Sequence, residues 1–309
     1  MILTVTMNPS IDVSYPLEVL HIDTVNRIEK VSKTAGGKGL NVSRVLSQLN
    51  APLTATGVVG GKFGDYLTEQ LDKDGIPHSF SKIDGETRSC IAILHEGKQT
   101  EILESGPEVT AEEQEAFVAH FEELMADTDF ITISGSLPKG INHDFYSLLI
   151  DKATEADVKV LLDTSGATLK ASLENTHKPF LIKPNETEIA DLLGKEIHSN
   201  DELVEALEDK EFDGIEWIVV TLGADGAIVK HQKNYYRVDI PTIKVVNPVG
   251  SGDSTIAGLA YALSEGKSPE DVIKSGMVTG MLNTLEEKTG FINVDNFETL
   301  FKQIKVEKI

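Results

Sequence analysis

Short apolar runs rich in β-branched residues alternate with longer amphipathic stretches along most of this 309-residue chain. No other feature constrains the fold as strongly. Buried strands separated by helix-length segments pair in parallel and need covering on both faces. Ile2–Thr6, Leu53–Val59, Phe130–Ser134, Val158–Asp163, Phe180–Lys183 and Trp217–Thr221 read as buried strands. Gly39–Leu49, Phe63–Asp74, Ala111–Met125, Asp144–Ala156 and Asn200–Glu208 read as helices. The expected architecture is α/β, with a mainly parallel central sheet. The length allows one large domain or one domain with an appendage.

Two regions break the alternation. Ile11–Ser32 and Arg88–Glu104 read as successive strands without an intervening helix. In the second, Cys90–Leu94 and Thr100–Leu103 flank Glu96-Gly97-Lys98, a hairpin signature. Together they predict a small sheet projecting from the main body. It fits either a flap over a cleft or a decoration.

The formal net charge is −22, which disfavours nucleic acid and anionic membranes but leaves room for a local basic cleft. One cysteine, Cys90, excludes an internal disulfide and reads as a small buried hydrophobe. The eight histidines are scattered, which gives no imidazole metal site. Met1–Val5 lacks a basic leader region and runs into polar Asn8-Pro9-Ser10, so it reads as a first strand. No apolar run reaches the ~18 residues of a membrane helix. A cytoplasmic protein is expected.

The strongest chemical signal is Asn247-Pro248-Val249-Gly250-Ser251-Gly252-Asp253-Ser254, between an expected strand end at Ile243–Val246 and the apolar helix Thr255–Leu263. Glycines at 250 and 252 let the backbone approach a ligand, and the helix start adds partial positive charge. Asp253 fits two roles there: a helix cap, or the carboxylate that accepts a hydroxyl proton during phosphoryl transfer. Ala35-Gly36-Gly37-Lys38-Gly39-Leu40-Asn41 reads either as a glycine turn or as backbone held close to a polar ligand. Lys183-Pro184-Asn185-Glu186-Thr187-Glu188 fits a capping box and also the oxygen ligands of a hydrated Mg²⁺. Thr221-Leu222-Gly223-Ala224-Asp225-Gly226-Ala227 is a hairpin turn or a platform for a flat group.

Three familiar motifs are excluded. Gly37-Lys38 is no phosphate-loop lysine, since Ser32 stands where the first glycine belongs and Gly39 where Ser or Thr belongs. Gly250 and Gly252 lack the third glycine of a dinucleotide fingerprint, because position 255 is Thr. Neither Ser134 nor Ser136 lies in a nucleophile elbow.

Taken together, these motifs resemble the PfkB family of carbohydrate kinases, within the ribokinase-like superfamily. Asn247–Asp253 is similar to the family's C-terminal signature; Gly36–Asn41, with Gly57, Gly60 and Gly64, is similar to its N-terminal one. The resemblance covers essentially the whole chain. It implies a ribokinase-like three-layer sandwich: one kinase domain over 1–309, with lid strands from about 11–32 and 88–104. It implies ATP and Mg²⁺ as cofactors and a sugar as acceptor. Asp253 would be the general base, and the backbone of Gly250, Ser251 and Gly252 up to Asp253 the anion hole. Asp12, Gly36, Gly37 and Asn41 would hold the sugar. Lys183, Asn185, Thr221, Gly223, Gly226 and Asn283 would serve the nucleotide, with Asn185 and Glu188 acting on the metal, directly or through water. The lid would close over the site and clasp a second copy into a homodimer.

Within the family the chain looks most like the kinases of phosphorylated ketoses. Arg27, Lys38 and Arg88, expected at the lid or cleft, would clamp the substrate phosphate; the alternative for Arg27 and Arg88 is a solvated strand position. Ser134-Gly135-Ser136-Leu137-Pro138 resembles a subfamily loop in which Ser136 touches substrate. Asn247 departs from the Asp found in many members.

Overall fold

A computed structural model describes residues 1–309. The strands are β1 (Ile2–Thr6), β2 (Ser10–Pro16), β3 (Ser32–Gly36), β4 (Leu53–Gly60), β5 (Ser81–Ile83), β6 (Arg88–His95), β7 (Lys98–Leu103), β8 (Phe130–Ser134), β9 (Lys159–Asp163), β10 (Leu181–Ile182), β11 (Trp217–Thr221), β12 (Ala227–His231), β13 (Asn234–Asp239) and β14 (Lys305–Lys308). The helices are α1 (Lys38–Gln48), α2 (Gly61–Lys73), α3 (Ala111–Leu124), α4 (Phe145–Glu155), α5 (Gly166–Glu174), α6 (Glu186–Leu193), α7 (Asn200–Ala206), α8 (Ser251–Ser264), α9 (Pro269–Thr284) and α10 (Phe297–Phe301).

Ten strands form the main sheet in the order β14-β13-β12-β11-β10-β9-β8-β1-β4-β5. From β11 to β5 every neighbouring pair is parallel, whereas β11 to β14 pair antiparallel. Inside the sheet, third from the β5 edge, lies β1, whose five residues are all buried. Its side chains alternate between faces. Ile2 joins a core with residues of α1, α8 and α9, while Leu3 and Val5 join a second core with residues of α3 and α4. Helices thus cover both faces, giving the three layers expected. No helix is long and apolar enough to cross a membrane.

The second sheet has the order β3-β2-β6-β7, with β2 and β6 parallel. Its hairpin turns at Glu96-Gly97, both with positive φ (49° and 70°), as a two-residue turn between right-twisted strands demands. Strands were expected throughout Ile11–Ser32, but residues 17–31 form a loop. Val19, Ile22, Val25 and Val31 are exposed there and Leu17, Leu20 and Ile28 only half-buried, so no fully buried face calls for a strand. Nor is the expected strand end Ile243–Val246 present. Pro241 precedes the segment, Val245 and Val246 are exposed, and β14 already pairs with β13. The chain instead crosses to α9, where Val246 and Asn247 both donate their N–H to the Thr284 carbonyl.

The parallel strands deliver polar residues to one edge of the sheet. Ser134 and Asp163 end β8 and β9 in register, Lys183 follows β10, and Thr221 ends β11. Ligands of open α/β sheets bind at such carboxyl ends.

Candidate active site

Asp253 lies in the first turn of α8 and is 6% exposed. It does not cap the helix: α8 begins at Gly250, in the left-handed region (φ 83°), with no side-chain cap. Instead its Oδ2 accepts a 2.8 Å hydrogen bond from Asn41 Nδ2, which reaches it from α1. The other oxygen accepts no hydrogen bond from the protein. Burial, reinforced by Asp163, pushes its pKa up to about 7 against the pull of Lys38, Asn41 and Lys183. The uncapped first-turn amides beside it leave a helix start open to an anion.

Around Asp253 lies a buried cluster of charge. Lys183 (7% exposed) pairs with Asp163 (4%) at 3.5 Å. A Cβ on Gly252 would fall 3.1 Å from Lys183 Nζ, so the ammonium lies against the anion-hole backbone. Lys38 was expected with the arginines at the mouth of the cleft. Its ammonium is instead held above its ordinary pKa by Asp163, then by Asp253 and Glu188, and so feels the carboxylates around Asp253. Asp163 was not anticipated as a functional residue. Its only signal was a carboxylate closing an otherwise apolar strand.

At the opposite end, Asp12 on β2 accepts a 2.6 Å hydrogen bond from Ser10 and presses on the glycine loop. A Cβ on Gly36 would fall 2.1 Å from its carboxyl carbon. Burial raises the Asp12 pKa; Ser10, Arg88 and Arg44 oppose it. Arg88 donates through Nε and Nη2 to the Asn8 carbonyl and through Nη1 to the Glu104 carbonyl. It therefore ties the base of the lid hairpin to the end of β1. Arg27 lies exposed on the 17–31 loop without a hydrogen bond or ion pair. Ser136 is exposed on the loop after β8; its neighbour Gly135 has its carbonyl pinned by Tyr146 and Thr164.

On the expected nucleotide side, Asn185 and Glu188 form a reciprocal capping box at α6. That occupies one oxygen of each, and Glu188 still faces Lys38 electrostatically. Thr221 donates its N–H to the Pro184 carbonyl, joining the two loops. Gly223 has open space around it, whereas a Cβ on Gly226 would strike the Val238 carbonyl at 1.9 Å. Asn283 is buried, with both amide atoms committed: Nδ2 donates to the Val249 carbonyl at 2.8 Å and Oδ1 accepts from Gly290 N–H at 2.7 Å. Its side chain is therefore a staple for the anion-hole loop, not a free group facing a base.

A helix-start anion site, a partnered buried carboxylate and lysines at the carboxyl edge of a parallel sheet define a phosphoryl-transfer enzyme of the sugar-kinase class. Residues 6–296 match the pfkB family of carbohydrate kinases, and the chain belongs to that family. A Staphylococcus aureus protein assigned as a phosphofructokinase is 30% identical, with a TM-score of 0.87 over 100% of this chain and 99% of that one. Phosphofructokinase-2 from Escherichia coli, in complex with potassium, is 26% identical with a TM-score of 0.91 over 97% and 98%. A Thermotoga maritima protein assigned as a 1-phosphofructokinase is 28% identical with a TM-score of 0.88 over 100% and 99%.

The donor of such kinases is ATP with Mg²⁺, and the residues present suit both. Asp163 Oδ2 and Ser134 Oγ, facing each other in register, are buried without partners, and buried polar groups are rarely left so. Lys183 supplies positive charge at the anion-hole backbone.

Proposed function

We propose that the protein phosphorylates D-tagatose 6-phosphate to tagatose 1,6-bisphosphate at the expense of ATP, in the cytoplasm, with Asp253 as general base. The observation that carries the mechanism is the Asn41–Asp253 hydrogen bond. It holds one carboxylate oxygen and leaves the other for the acceptor hydroxyl. As that hydroxyl attacks the terminal phosphoryl group, its proton passes to Asp253. The developing charge meets the first-turn amides at Gly250–Asp253 and the Lys183 ammonium. Asn185 and Glu188, directly or through water, with Asp163 as an added acceptor, would hold Mg²⁺, which would neutralise charge on the donor phosphates. Thr221, Gly223 and Gly226 line the nucleotide's place. Asp12, Gly36, Gly37 and Asn41 hold the sugar, under a lid that excludes water.

The choice of tagatose rests on likeness along the chain, including Glu286-Glu287-Lys288-Thr289-Gly290. The second reading, a phosphofructokinase, is favoured by the relatives above, one of them assigned as a 1-phosphofructokinase. Phosphofructokinase-2 has been crystallised with fructose-6-phosphate. Initial rates with MgATP against tagatose 6-phosphate, fructose 6-phosphate and fructose 1-phosphate separate the readings. The highest kcat/KM is expected for tagatose 6-phosphate. A preference for either fructose phosphate overturns that substrate and keeps the kinase. Equal turnover by Asp253→Asn overturns the base.

A further inference from the structure

We propose that Arg44 is a positioning residue for phosphoryl transfer: it aims Asn41 at Asp253 and is clasped in turn by the Thr289–Gly290 turn. This rests on the reading of Asp253 as the base.

Arg44 lies three residues after Asn41 on α1, 4% exposed, where a guanidinium is costly to bury. Its Nη1 donates to Asn41 Oδ1 at 3.0 Å. A guanidinium has donors only, so the oxygen end of the amide must face Arg44 and the Nδ2 end must face the carboxylate. Without Arg44, nothing on the Oδ1 side fixes that orientation, and a flipped amide would oppose oxygen to oxygen at Asp253. Arg44 Nη2 donates to the Ala35 carbonyl at 2.6 Å, so the same side chain also anchors the strand that leads into the glycine loop.

The guanidinium lies 5.4 Å from the Phe291 ring centroid, with Asp74 of α2 3.9 Å from its Nε. Burial lowers its pKa, while Asp74 and Asp12 of β2 support its charge. The charged groups acting most strongly on Asp253 are Asp163 from β9, Lys38 from α1 and Lys183 beyond β10. Arg44 reaches Asp253 through the Asn41 amide, by two hydrogen bonds in series.

The clasp is equally specific. Gly290 has φ 74°, and a Cβ there would fall 2.9 Å from Arg44 Nη1 and 3.1 Å from Asn41 Oδ1. Gln48 Nε2 donates to the carbonyls of both Arg44 and Gly290 at 2.9 Å. Gly290 N–H reaches Asn283, and Asn283 reaches the Val249 carbonyl beside the anion hole. One turn thus holds the base's partner and the phosphate-binding loop in a common frame.

The test compares kcat/KM against pH, with MgATP and the best ketose phosphate, for wild type, Arg44→Met, Asn41→Ala, the double variant and Asp253→Asn. Arg44→Met should lose roughly 10-fold or more in kcat, the scale of one charge-assisted hydrogen bond. Its acidic limb should move to higher pH, as should that of Asn41→Ala. The double variant should lose no more than Asn41→Ala alone, because the two act in series. An unmoved limb in Arg44→Met, or losses that add in the double variant, overturns the proposal. If thermal melts show that Arg44→Met does not fold, Gly290→Ala replaces it. That variant keeps the charge and presses on Nη1, and an unmoved limb there overturns the proposal equally. Wild-type turnover by Asp253→Asn removes the base reading, and this proposal with it. An inactive Asp253→Asn with an unmoved Arg44→Met limb removes this proposal alone.

Discussion

As the proposed base, Asp253 combines two demands that oppose each other: it must ionise to accept a proton, yet it sits where ionisation is costly. Its pKa of about 7 is the compromise. The acidic limb of kcat/KM against pH should accordingly inflect near 7 in the free enzyme and be abolished in Asp253→Asn, whose kcat should fall by about 10²–10⁴. A flat profile in the wild type would contradict this. The same shift bears on stability. An acid whose pKa rises from 3.8 to about 7 on folding favours the fold only while protonated, so its contribution declines as pH rises through that window. Asp253→Asn should melt close to wild type at pH 4 and several degrees above it at pH 8, as calorimetry can show. Of these residues Asp253, Lys38, Asn41 and Lys183 were marked in the sequence because each sits in a motif, although Lys38 was expected at the mouth of the cleft. Asp163 and Arg44 were not: one ends a plain apolar strand, the other continues an ordinary amphipathic helix, and only folding brings them to the centre.

At the scale of elements, β11 and the hairpin β6–β7 were readable to within a residue or two, because alternation and the Glu96-Gly97 turn are local signals. The 17–31 loop and Ile243–Val246 were not. Their apolar residues imitate strands, and only the absence of a free sheet edge or a face to bury shows otherwise. Arg88 changes meaning at this scale. It was expected to grip phosphate, yet its three donors bind the Asn8 and Glu104 carbonyls. Arg88→Ala should therefore loosen the hinge of the small sheet, raising KM for the sugar phosphate by about 10-fold, the scale of such bonds, with a smaller change in kcat. Faster hydrogen exchange confined to β6 and β7 would accompany it; exchange unchanged there would remove the hinge role.

For the whole molecule, the small sheet presents Ile102 to solvent on one face at 57% exposure, and Leu94 and Leu103 together on the other at 38% and 61%. In a chain of net charge −22 such a face invites covering, and we expect a second copy to cover it. Wild type should sediment as a dimer and Leu103→Lys as a monomer; a monomeric wild type would leave the lid a purely intramolecular device. A tetramer is recorded for an inhibited form of phosphofructokinase-2. Finally, Asn41 and the carboxylate it holds are 212 positions apart. A ribosome releases α1 long before it makes α8, so a nascent or truncated chain carries a glycine loop and sheet but no proton acceptor. The pairing of the proposed base with its partner therefore waits on the late arrival of α8.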